Sequence, residues 1–225
     1  MKRLLHIALL VLGATMLLAS CDDEEQIADS LTHYRYDIVT YMGSDAAGNA
    51  RFELVGRDDS ASVMLTARYT MASTVQPWQR VLLRYDWADA RSGGAERAVE
   101  VYGCTSILSD SLRYTAQPLE HYLVDIEPLK MRSIWRTGEF INLHCQLPYT
   151  GKSRHFYLLL DSTTWRHDTV HCHLVHRIYT DTTYHWRDAY ASFNVGNIWK
   201  LPSCRTLRLH ITEDRNADAI YDFNK

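Results

Sequence analysis

The stretch "GEFINLHCQLPY", residues 138–149, decides the fold class. Ile141, Leu143, Cys145 and Leu147 fall at every second position, and Phe140, Asn142, His144 and Gln146 fill the positions between them. A helix would scatter the four apolar groups around its circumference. A strand points successive side chains to opposite faces, so it gathers them on one side. The segment therefore predicts a half-buried strand with a dry face of Ile141, Leu143, Cys145 and Leu147.

The same period recurs in both directions. Downstream come "RHFYLLLD" (154–161), "DTVHCHLVHRIYT" (168–180), "AYASFNVGNIW" (189–199) and "TLRLHITE" (206–213). Strands at this spacing, joined by short polar turns, predict an antiparallel β-sandwich. Upstream lie "HYRYDIVTYMG" (33–43), "ARFELVGRDD" (50–59), "ASVMLTARYTM" (61–71), "QRVLLRYDWA" (79–88) and "AERAVEVYGCTSILS" (95–109). In 79–88, Val81, Leu83 and Tyr85 share one face, and Arg80 and Arg84 share the other. Five short strands in about 75 residues suit a small OB-type barrel. Between the two runs, in "TAQPLEH" (115–121), the alternation lapses and Pro118 stops a strand. The expectation is an all-β chain: an OB-like barrel over 33–116, then an antiparallel β-sandwich over 117–225.

The amino-terminal segment has another logic. Lys2 and Arg3 precede Leu4–Leu18, which is apolar apart from His6, Gly13 and Thr15. Such a run is too short and too early to be a lasting span of a bilayer about 30 Å thick, and it reads as a signal peptide over 1–20. Leu18-Ala19-Ser20-Cys21 resembles the lipobox of bacterial lipoproteins. That resemblance implies a diacylglycerol on the Cys21 thiol and a further acyl chain on its amine. At about 0.8 kcal/mol per buried methylene, several chains anchor a protein stably to a membrane. Residues 21–32 then form the lipidated Cys and an acidic spacer. Asp22, Asp23, Glu24 and Glu25 read either as a solvated spacer or as an export signal. They resemble the acidic tetrad that sends Bacteroidetes lipoproteins to the outer face of the outer membrane, so the expected address is the cell surface. Removing residues 1–20 takes the formal charge from −3 to −5. Nucleic acid is thereby an unsuitable partner, since neutralising phosphates supplies most of that affinity.

Four cysteines remain beyond Cys21, and none forms a C-x-x-C pair. An exported chain can oxidise them, and Cys145 with Cys172 is the favoured pairing. "HCHLVH" sets His171 and His173 on one side of a strand, about 7 Å apart, as in β-built metal sites. A third ligand would come from elsewhere, with His144 and Asp161 as candidates. The bland alternative is a polar outer face opposite Cys172, Leu174 and His176. Asp214, Asn216 and Asp218 start like a calcium loop, but Ala219 replaces its Gly and Lys225 its closing Glu, so a polar hairpin turn is the simpler reading. No nucleophile elbow, zinc-protease helix or phosphate loop occurs. The expectation is no enzyme and no cofactor. Of the six tryptophans, Trp165 and Trp186 sit in polar stretches and are the best candidates for exposure, against the favoured reading that the tryptophans pack at the interdomain seam and strand ends.

Taken together, "WQRVLLRYDW", "IWRTGEFINLHCQL", "SRHFYLLLD", "LVHRIYTD" and "YASFNV" resemble, in order and spacing, the NigD-like lipoproteins of Bacteroidetes. The resemblance implies a lipid anchor, an OB-type domain and a β-sandwich. It implies no catalytic residues. A departure is His176-Arg177, where "HN" is usual. The family name hints at bacteriocin production or immunity. Three functions stay open: a surface lipoprotein binding an unknown protein or glycan, a bacteriocin-associated immunity or accessory lipoprotein, and a metal-binding envelope protein using the His cluster.

Overall fold

A computed structural model describes residues 34–57, 60–88, 94–115, 117–151, 154–178 and 185–225. The first lobe is built by β1 (Arg35–Ser44), β2 (Ala50–Leu54), β3 (Val63–Ala67), β4 (Arg80–Trp87) and β5 (Glu96–Ser106). They close into a barrel in the order β1-β2-β3-β5-β4. The closure rests on a parallel β3–β5 pair and on kinks in β1 at Tyr41/Gly43 and in the β4–β5 ladder at Arg84/Tyr85. Such bulges tighten the local twist, and a small barrel needs that curl. Alternate residues fill the interior: Val39 and Tyr41, Phe52, Leu65, then Val81, Leu83 and Tyr85. The last three are fully buried, on the face that the alternation assigned to them.

The second lobe is a sandwich of two four-stranded sheets. One sheet orders β6 (Leu108–Ser111), β11 (His185–Asn194), β8 (Phe140–Tyr149) and β7 (Lys130–Thr137). The other orders β13 (Asn216–Asn224), β12 (Thr206–Glu213), β10 (Thr169–Ile178) and β9 (Arg154–Leu160). Only a 3-10 turn, Leu119–His121, and a one-turn helix α1, Gly196–Trp199, interrupt the strands among the described residues. Ile141, Leu143, Cys145 and Leu147 meet Leu158, Leu160, Cys172, Leu174, Leu207 and Leu209 in the core. The β7–β8 turn is Gly138-Glu139, with Gly138 at φ 54°. A two-residue hairpin turn wants a positive φ at its first position, which glycine adopts without strain. The chain changes lobe earlier than the 115–121 stretch: β6 pairs in parallel with β11 and already belongs to the sandwich.

The expected Cys145–Cys172 bridge is not formed; Cys104, Cys145, Cys172 and Cys204 are free thiols. Cys145 and Cys172 stand on opposite sheets of one core. Packed sheets lie about 10 Å apart, whereas a disulfide needs Cα atoms within about 7 Å, so bridging them requires a local pinch. Burial pushes the Cys145 thiol up to about 12 and Cys104 up to about 11, and it raises Cys172 and Cys204 as well.

Arg80 joins the lobes. It lies on the outer face of β4 and is nevertheless 3% exposed. Its Nε donates to Ser192 Oγ (3.1 Å), Nη1 to Thr40 Oγ1 (3.0 Å), and Nη2 to both Ile38 O and Asn142 Oδ1 (3.1 Å each). Ser192 Oγ donates to Asn142 Oδ1 (2.8 Å), and Asn142 Nδ2 donates to Thr137 Oγ1 (2.9 Å). The guanidinium also lies 4.3 Å from the centre of the Phe140 ring. Burial lowers Arg80 to about 10, with Glu53 opposing, so it stays charged at neutral pH. Nearby, Arg57 lies over the Trp135 ring at 5.0 Å.

Removing one member of a buried charged network leaves its partners unsatisfied and costs about 3–5 kcal/mol. Arg80→Ala is therefore expected to destabilise the chain by that order. Arg84→Ala, at an exposed site on the same strand face, is expected to cost under about 1 kcal/mol. Urea denaturation of the two variants against the parent decides; equal midpoints for both would remove Arg80 as the seam's anchor.

Candidate functional site

Cys21 and the Asp22, Asp23, Glu24, Glu25 run lie outside the described residues. His171 and His173 sit on the outer face of β10, side by side with β12. Between them stands His210, which the sequence pattern did not single out. Its ring stacks on His173 (4.5 Å, 9°) and on His171 (5.1 Å, 22°). His171 Nδ1 lies 3.0 Å from His210 Nε2, and His210 Nδ1 lies 3.0 Å from Asp218 Oδ1. Arg208 and Asp222 close the same face with a two-pronged ion pair at 2.7 and 2.8 Å.

Neither expected third ligand joins the pair. His144 is on β8, in the other sheet. Asp161 accepts from Thr163 N (2.9 Å) and Thr163 Oγ1 (2.7 Å), which fastens its own turn. Among the described residues, no group of three or more His, Cys, Asp or Glu is arranged to hold a metal ion. Asp214 and Asn216 form the β12–β13 hairpin end, and Asp218 serves His210.

A second surface lies on the sheet that meets the barrel. The outer side of β8 and β11 carries one row of polar and aromatic groups. At its upper end Asn142 and Ser192 are sealed under Arg80. Lower down the face opens. The His144 and Tyr190 rings stack nearly parallel (4.3 Å, 7°), and His144 Nε2 lies 3.1 Å from Asp188 Oδ1. Tyr36 of β1, 57% exposed, stands beside this platform. Burial first, then Asp188 and Tyr36, hold the Tyr190 phenol above its ordinary value. Trp186 continues the row, half-buried, with the Lys130 ammonium 4.0 Å from its ring. The result is a flat aromatic floor with a carboxylate and an ammonium at its margins.

Trp165 is 38% exposed, with Arg166 over its ring at 4.6 Å. The most exposed tryptophan is instead Trp78, at 72%, in the loop before β4. Its φ is 72°, a conformation that costs a side chain about 1–2 kcal/mol. A 2.6 Å hydrogen bond from its N–H to Tyr41 O helps hold it. Neither composition nor period distinguishes Trp78 from the buried tryptophans.

The model of the NigD-like C-terminal β-sandwich domain matches residues 114–224. Residues 114–224 are a NigD-like C-terminal β-sandwich domain. The chain's fold is shared with solved structures across most of their length. A protein of unknown function from Bacteroides vulgatus aligns with TM-score 0.67 at 10% identity, over 85% of this chain and 90% of that one. A NigD-like immunity protein from Bacteroides caccae aligns with TM-score 0.59 at 18% identity, over 84% and 96%. A candidate lipoprotein from Bacteroides fragilis aligns with TM-score 0.58 at 9% identity, over 85% and 97%. At such identities the likeness is one of fold. No curated protein matches the chain.

The NigD-like sandwich also holds a histidine with no surface role. His176 is 1% exposed; its Nδ1 donates to Glu127 O (3.2 Å) and its Nε2 faces Arg154 Nη1 (3.3 Å). Burial, then Arg154, pushes it down to about 4. Burial, then His210, pushes His173 down to about 4 as well, and His171 is lowered too.

These depressed values give an acid sensitivity of definite sign. Above the unfolded histidine value, about 6.5, both states are neutral and stability is complete. As pH falls from there toward 4, the unfolded chain takes up protons that the folded chain refuses, and stability declines. For the buried His176 alone the loss approaches about 3 kcal/mol. Denaturation at pH 7.5 and pH 4.5 should show the parent losing stability on acidification. His176→Gln should lose less; an unchanged loss would show that His176 does not carry it.

Proposed function

We propose that this chain is a lipid-anchored, surface-exposed NigD-like lipoprotein of the outer membrane that binds an external partner and catalyses nothing. The observation that carries the reading is the open part of the β8–β11 face: the stacked His144–Tyr190 platform, flanked by Tyr36, Asp188 and Trp186. Stacked rings with a charged margin suit recognition, since large aromatics bring contact area at little entropic cost. Trp78 supports the same reading, because an exposed tryptophan in an unfavourable backbone conformation contributes nothing to the core. The four described thiols argue against nucleophilic chemistry: burial raises each, and a thiol must ionise to attack. The partner is a protein or a glycan of the cell's surroundings. A second reading, a bacteriocin-immunity role, is favoured by one fold neighbour, the NigD-like immunity protein from Bacteroides caccae.

Protease shaving tests the address. Intact cells treated with proteinase K should lose the native chain and retain a form with Asp22, Asp23, Glu24 and Glu25 all replaced by Ala; lysed cells should lose both. Protection of the native chain on intact cells would place its partners in the periplasm and overturn surface display.

A further inference from the structure

The imidazole row on the outer face of β10 and β12 lies on the other sheet from the His144–Tyr190 platform. Asp218 bears on it first. A carboxylate accepts and does not donate, so the 3.0 Å contact means that His210 Nδ1 carries the proton. Its Nε2 lone pair is then turned toward Nδ1 of His171, 3.0 Å away. A ring nitrogen oriented by a carboxylate on the opposite nitrogen is the arrangement that fixes the tautomer and raises the basicity of metal-binding histidines. His173 plays a different part. Its ring lies flat on His210, 9° from parallel, and makes a stacking contact with it.

We infer that His171 Nδ1 and His210 Nε2 form a two-imidazole site for a late first-row divalent cation, with His210 oriented by Asp218 and water completing the coordination. Bonds of about 2.05 Å to nitrogens 3.0 Å apart subtend about 94°, the cis angle of a tetragonal ion, so copper(II) and nickel(II) fit better than tetrahedral zinc. Binding requires both rings to turn so that their lone pairs leave the N···N line and converge on the ion, and the His171 proton moves to its Nε2. Copper(II) binds most tightly, following the usual order for nitrogen sites. Two protein ligands with water make a labile ion, in keeping with the absence, among the described residues, of a three-ligand cage. The pair is also not the one that strand spacing suggests. His171 and His173 are neighbours along β10, yet the short nitrogen contact crosses to β12.

The test is a copper(II) titration of the full-length chain purified without a polyhistidine tag, read by calorimetry and electron paramagnetic resonance. One ion per chain is expected, with nitrogen ligation. His171→Ala and His210→Ala should each weaken binding at least tenfold. Asp218→Asn should weaken it about 10- to 100-fold, as carboxylates behind metal-bound histidines do. His173→Ala should change it less than threefold. Circular dichroism of each variant shows whether it has folded, and the four side chains stand at the surface of the sheet. A site that survives His210→Ala overturns the inference, as does one that is lost on His173→Ala. Failure to bind copper(II) stoichiometrically overturns it outright.

Discussion

A buried guanidinium is the constraint on which the two-lobe architecture depends. Arg80 leaves the barrel from β4 and enters the sandwich between Asn142 and Ser192, with four neutral oxygens as acceptors. Taking a cation out of water costs several kcal/mol unless its donors are met. Ile38 O, Thr40, Asn142 and Ser192 meet them only if β1, β4, β8 and β11 hold one relative placement. A rotation of one lobe against the other would strand the charge. Specificity of docking follows from that penalty, more than from any net gain the network supplies.

The same contact divides the outer face of β8 and β11. Where Arg80 and β1 press on it, Asn142 and Ser192 disappear from solvent. Past the end of β1 the face reopens at His144, Tyr190 and Asp188. The candidate surface is thus the remainder of an interface, and Tyr36, the β1 residue at that margin, borders both. A platform set against a rigid seam keeps its rings in place before any partner arrives, which lowers the ordering cost of binding.

Period-two alternation made the strands legible, because a half-buried strand must show it. It located the core faces of 141–147 and 81–85 and the barrel-then-sandwich order. It did not separate Arg80 from Arg84, since alternation reports which face a residue is on and not what covers that face. Trp78 was missed for a related reason: its exposure is set by one left-handed backbone position in a loop. Alternation alone assigns residues 108–111 to the barrel, because their pairing partner, 191–194, lies some eighty positions on. His210 escaped notice because cross-strand neighbours are set by register. Its partners, His171 and Asp218, come from strands on either side of it.

Histidine shows how far environment outweighs residue type here. His176 faces the core and is held neutral by burial and a neighbouring guanidinium. His144 lies flat under Tyr190 and leans on an exposed carboxylate, where it serves as surface. His171 and His210 share one short nitrogen contact across two parallel strands. His171, Cys172, His173, Leu174, Val175 and His176 are consecutive, yet the sheet sorts the first and third from the sixth. His171 and His173 go to the wet face, beside Arg208 and Asp222. His176 goes to the dry one, beside Phe156. The first face is open to solvent, so a cation can reach its ring nitrogens; the other is sealed, with His176 1% exposed. That difference is made by the pleat of β10, before any ligand takes part.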